Sequence, residues 1–115
     1  MYHGWVDQAI PPGNTVNFYN SVLKKMGSKQ DNWVRLFMVP GMQHCSGGPG
    51  PDQFDKVAVL ERWRESNAAP EQITATHVTN GTVDMTRPLC PYPQTAQYKG
   101  TGSTNDASNF VCKAQ

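Results

Sequence analysis

Residues 33–39 read WVRLFMV, apolar except at Arg35 and bounded by Asn32 and Pro40. A short run of this kind between turn-forming residues is expected of a strand buried on both faces, the situation of a parallel strand inside an α/β layer. The segment directly after it is unusual for a structural strand: MVPGMQHCSGGPG, residues 38–50, sets His44 and Cys45 side by side in a loop of glycines and prolines. A rigid strand feeding a glycine loop that carries a histidine raises three readings, namely a catalytic base, a metal ligand and a plain turn residue.

The flanking segments favour an α/β order. Residues 1–7 read as the end of a strand running into a loop, and IPPGNT as a turn whose Asn14 is suited to cap a helix. Val16, Tyr19, Val22, Leu23 and Met26 then recur at helical spacing, with Lys24 and Lys25 in the last turn and Gly27 as the stop. After the glycine loop, Asp52 is the expected cap of a second helix with Phe54, Val57, Ala58 and Leu60 on its apolar face, ended by Asn67 and Pro70. QITATHVT and TVDMTRP flank Asn80-Gly81, a strong hairpin signal. The predicted architecture is α/β, strand-helix-strand-helix, plus a β-hairpin and a tail. The 115 residues fit one domain, or part of one.

Ten basic and nine acidic side chains are scattered along the chain, which argues against nucleic acid as a partner. No apolar run approaches the roughly 18–20 residues of a membrane span, and the start lacks the basic-then-apolar layout of a signal peptide. A soluble chain with no membrane partner is expected. Three cysteines cannot all pair with one another. Cys90 and Cys112 flank a turn-rich stretch with little apolar periodicity, so the tail over 87–112 is expected to be loop-rich and closed by a disulfide. In the chain-entropy model a bridge of that span contributes roughly 3 kcal/mol. Cys45 is left without a partner in this chain.

Ligands and catalytic groups in open α/β sheets gather at the carboxyl ends of the strands, and both Asp7 and His44 fall there on this reading. An aspartate beside a histidine can hold the ring in one tautomer and stabilise the imidazolium that forms when it takes a proton. Asp7 is equally suited to initiate the turn into IPP. His3 is expected to support the loop near Asp7, His77 to lie exposed on a hairpin face, and Trp5, Trp33 and Trp63 to be core residues rather than a substrate platform. Two other classes stand beside the enzyme reading. His3, His44, His77 and Cys45 are ligands for zinc or copper, although no pair has the spacing of a local metal motif. A non-catalytic piece that self-associates through exposed sheet edges, WVRLFMV above all, is the other.

HGWVDQAIPP (3–12), MVPGMQHCSGGPGP (38–51) and RPLCPYPQTAQYKGTGSTNDASNFVC (87–112) resemble, in order, the C-terminal third of the tannase and fungal-type feruloyl esterase family. The resemblance implies a secreted or periplasmic serine esterase of α/β-hydrolase fold that cleaves esters of gallic or hydroxycinnamic acids. It also implies Asp7 as triad acid, His44 as triad base, and Cys45 as half of a bridge to a cysteine beside the nucleophilic serine. In the family that serine lies upstream of the aspartate motif. The chain's serines, at 21, 28, 46, 66, 103 and 108, stand in no G-x-S-x-G elbow, and only Ser46 is near His44 in sequence. The expectation is therefore a fragment carrying Asp and His but not Ser. No cofactor is implied, the family's calcium belonging to a lid domain outside the resemblance.

Overall fold

The computed structural model describes residues 1–27, 29–30 and 32–114. In chain order the elements are β1 (Tyr2–Gly4), α1 (Pro12–Met26), β2 (Phe37–Val39), α2 (Lys56–Ser66), β3 (Ile73–Thr79), β4 (Thr82–Leu89), β5 (Thr95–Tyr98), a 3-10 turn (Ala107–Asn109) and β6 (Phe110–Lys113). Among the described residues the strands pair as three two-stranded units: β1 with β2 in parallel, and β3 with β4 and β5 with β6 antiparallel. Helix and strand are thus mixed in the expected order.

The apolar run is a shorter strand than its composition predicts. Only Phe37–Val39 joins a ladder, while Trp33 and Val34 turn back on the Gln30 carbonyl. Its burial on both faces is nevertheless real. Phe37 and Val39 enter a cluster with Met42, Ile73, Ala75 and Leu89, and Leu36 and Met38 point the opposite way onto Tyr19 of α1. Alternation along an extended backbone divides the run between the two clusters. Each such side chain, fully buried, contributes about 1.5–3 kcal/mol. The apolar face is therefore covered, not open as expected for self-association, and an isolated bridge to Pro91 occupies the strand's other side.

Helix starts differ from those the sequence suggests, for local chemical reasons. Asn14 does not cap α1: Pro11 is the N-cap and Pro12 opens the helix, where a fixed φ is already helical and a missing N–H costs nothing. Asp55, not Asp52, caps α2 by accepting from Ala58 N at 2.9 Å. Asp52 instead closes the glycine loop. Asn67, in left-handed conformation, ends α2. Of its expected apolar face, Phe54 packs against the core beside Val59 and Ala58 is half-buried, while Val57 and Leu60 are 66% and 64% exposed. Trp5 and Trp33 are also exposed rather than core.

Asn80 and Gly81, both at positive φ, make the two-residue turn between β3 and β4. A bulge after His77 leaves Asp84 unpaired in the ladder, free to accept from His77 Nδ1 and Thr79 Oγ1 at 2.6 Å each. Hydrogen bonds from Thr79 and His77 hold the Asp84 carboxyl below its ordinary range. The tail is more ordered than a loop, because β5 and β6 form a second hairpin with Ala96 opposite Cys112. A Cys90–Cys112 disulfide, Cα–Cα 5.5 Å, ties that hairpin to the end of β4. Asn105 and Ala107 add hydrogen bonds to Thr86.

Candidate active site

Parallel pairing aligns Gly4 with Val39, so the chain leaves β1 and β2 on the same side. Two backbone bonds then stitch the exits together: Trp5 N donates to Val39 O at 2.9 Å and Val6 N to Met42 O at 3.2 Å. Met42, wholly buried, anchors the second exit in the core. The glycine loop beyond it is braced from within by Gln43 N to Gly47 O at 3.0 Å, Gly50 N to Gly41 O at 3.2 Å, and Gly47 N to Asp52 Oδ2 at 2.6 Å. Glycine is required where the loop closes, since a Cβ on Gly50 would lie 2.0 Å from the Pro40 carbonyl oxygen.

This framework brings Asp7 under His44. His44 Nδ1 lies 2.9 Å from Asp7 Oδ2, across 37 residues of sequence. The carboxylate also initiates the turn into the Ile10-Pro11 segment, with Oδ1 accepting from Ala9 N at 2.8 Å and Ile10 N at 2.9 Å. The turn role and the histidine contact use different oxygens and coexist. Partial burial pushes the Asp7 pKa up. The Ile10 N–H, the His44 ring and the Ala9 N–H outweigh it and hold the group at about 2. Asp7 is therefore an anion at any neutral pH.

An ionised carboxylate at Nδ1 requires that nitrogen to carry the proton, which leaves the Nε2 lone pair of neutral His44 available. The ring is 56% exposed, and among the described residues Nε2 has no hydrogen-bond partner. Such an imidazole can take a proton from a group placed beyond it and return the proton later.

A second ring reaches the same oxygen. His3 Nε2 lies 3.1 Å from Asp7 Oδ2 and 3.1 Å from the Ile10 carbonyl, and its Nδ1 lies 2.7 Å from Thr15 Oγ1 on α1. Nothing in the spacing of the sequence marks Thr15 for this role. His77 is placed with Asp84 on the β3–β4 hairpin, and among the described residues no three His, Cys, Asp or Glu side chains converge as a metal set.

None of the described serines is hydrogen-bonded to His44. Ser21 and Ser66 donate to carbonyls of their own helices, Ser103 and Ser108 lie in the tail, Ser46 is exposed in the glycine loop, and Ser28 falls outside the described residues. Cys45 is a free, exposed thiol with φ of 65°. A cleft of about 720 Å³ between Trp5, Met38, Met85, Arg87, Tyr92 and Phe110 does not include Asp7 or His44 in its walls.

The model of the family described as tannase and feruloyl esterase matches residues 1–113. Mono(2-hydroxyethyl) terephthalate hydrolase of Piscinibacter sakaiensis is 46% identical to this chain, over 99% of the chain and 19% of that protein. A probable feruloyl esterase of Arthroderma benhamiae is 40% identical over 96% of the chain and 22% of its own length. Among solved structures, an esterase from Aspergillus oryzae superposes with a TM-score of 0.87 at 32% identity, covering 97% of this chain and 26% of that one. The chain spans about a fifth to a quarter of the length of these relatives.

Proposed function

The chain belongs to the tannase and feruloyl esterase family, and on that premise we propose that Asp7 and His44 are the acid and base of a serine carboxylesterase. The observation that carries the reading is the 2.9 Å contact from His44 Nδ1 to Asp7 Oδ2, with Nε2 unengaged beside it. The nucleophilic serine comes from outside these 115 residues. His44 Nε2 takes its hydroxyl proton as the oxygen attacks the ester carbonyl, and gives that proton to the departing alcohol as the tetrahedral intermediate collapses to an acyl-enzyme. The same nitrogen then deprotonates a water molecule, whose oxygen attacks the acyl carbon. The proton returns to the serine as the free acid leaves. Asp7 keeps Nδ1 protonated and faces the imidazolium in both halves. The dyad needs no metal or organic cofactor for this chemistry.

Within the reading, β1 and β2 are neighbouring parallel strands of an α/β-hydrolase sheet, which their register supports. Cys45 pairs with a cysteine beside the serine, as the family resemblance implies. The substrates are esters of phenolic or related aromatic acids, a class supported by relatives named for terephthalate and feruloyl esters. A site of action outside the cytoplasm is supported by the Cys90–Cys112 disulfide.

A chimera tests this without assuming anything about the neighbouring sequence. These 115 residues replace the matching segment of the Piscinibacter terephthalate-ester hydrolase, and the product is assayed on that ester and on methyl ferulate and methyl gallate. The chimera should turn over at least one ester, and His44→Ala or Asp7→Asn should lower kcat/KM by about 10³- to 10⁴-fold. A folded chimera without activity, or one whose rate survives His44→Ala, sinks the reading. The 115-residue chain alone should neither turn over these esters nor be labelled by a serine-directed phosphonate.

A further inference from the structure

We propose that His3 is a positioning residue for Asp7, held by the Thr15 hydroxyl in its neutral Nε2–H tautomer so that the N–H it donates to the Ile10 carbonyl also lies against the carboxylate oxygen His44 uses. This rests on the reading of Asp7 and His44 as the acid–base pair. The geometry around the ring decides its protonation. Nε2 faces two acceptors, Asp7 Oδ2 and the Ile10 carbonyl, both at 3.1 Å. A bare nitrogen would set its lone pair against both, so Nε2 carries the proton. At the other end, Nδ1 lies 2.7 Å from Thr15 Oγ1, a hydroxyl able to donate to it. With Nδ1 so occupied the ring is satisfied without taking a second proton.

The consequence falls on His44. Asp7 accepts three hydrogen bonds, from two backbone N–H groups on Oδ1 and from the His44 ring on Oδ2, and the His3 Nε2–H lies 3.1 Å from that same Oδ2. The His3 N–H dipole beside Oδ2 lowers the basicity that Asp7 offers to His44 and braces the carboxylate through Thr15 of α1. Among the described residues, the titratable groups in hydrogen-bonding or ion-pair contact with Asp7 are His3 on β1 and His44 in the glycine loop. From α1 the contribution is the neutral Thr15 hydroxyl.

Titration of the histidine rings by ¹H–¹⁵N spectroscopy on the chain tests this apart from any esterase assay. In the unsubstituted protein at neutral pH, His3 should show a protonated Nε2 and a bare Nδ1. His3→Phe should raise the proton affinity of His44 by about three- to tenfold, half to one pKa unit, because Asp7 loses the N–H dipole beside Oδ2. His3→Gln, whose terminal amide restores a donor near the same place, should return His44 towards its original value, which a merely space-filling role would not do. An unchanged His44 titration in His3→Phe overturns the proposal, as does a His3 ring protonated at Nδ1 at neutral pH. Should His3→Phe fail to fold, the tautomer of the unsubstituted protein decides. Loss of ester hydrolysis in the chimera with these titrations intact would count against the esterase reading and not against His3.

Discussion

Gly4 lies so close to Met42 that a Cβ built on it would fall 2.1 Å from the Met42 carbonyl oxygen, the same oxygen that accepts from Val6 N. The close approach lets the exit of β1 run along the exit of β2, and so determines where Asp7 and His44 meet. Gly4→Ala must push the two exits apart. It should cost at least the ~1–3 kcal/mol of an overpacked core and release the His44 ring from Asp7. Denaturant melts and the His44 titration read the two effects, and a stable Gly4→Ala protein with wild-type titration would show that the approach is dispensable.

The Asp7 carboxylate, held near 2, makes its stabilising contribution above the unfolded value of 3.8 and loses it as pH falls through the folded value. The difference in melting temperature between the wild-type chain and Asp7→Asn should therefore shrink as pH falls between roughly 4 and 2. A difference that vanishes near pH 6 instead would place the relevant titration on a histidine.

Thiol titration of the denatured, unreduced chain should find one thiol, Cys45, with Cys90 and Cys112 recovered in one bridged peptide. Three reactive thiols, or a peptide joining Cys45 to either of the others, would contradict this pairing.

The 115-residue chain by itself should self-associate. Phe37–Val39 is covered, but β1 has β2 as its single strand partner among the described residues, and Val57 and Leu60 of α2 are open to solvent. Light scattering over a dilution series should show a mass that falls as the protein is diluted. A monomer mass at every concentration would overturn the expectation, and association unchanged in Leu60→Glu would remove the α2 surface from consideration.

Local chemistry made several elements legible in the amino-acid sequence. Asn80-Gly81 specifies a two-residue turn because both positions need positive φ, and that turn sets the pairing of β3 and β4. Gly27 and Asn67 end their helices for the same stereochemical reason. The burial of Leu36 to Val39 on both faces is what a short apolar run bounded by turn residues should show. Asp7 and His44 were legible as residue types at the exits of two strands, and family resemblance joined them to a role. Their distance was not, because it depends on which strands pair and in which register, a choice made by packing between segments far apart in the chain. For that reason WVRLFMV pairs only over its last residues, Asp55 replaces Asp52 as a cap once Asp52 is drawn to Gly47, and Trp5 stays at the surface. The contact from His3 to Thr15 belongs to the same category. Nothing in a strand histidine and a helical threonine announces a shared hydrogen bond until α1 packs beside β1 and brings the two side chains to 2.7 Å.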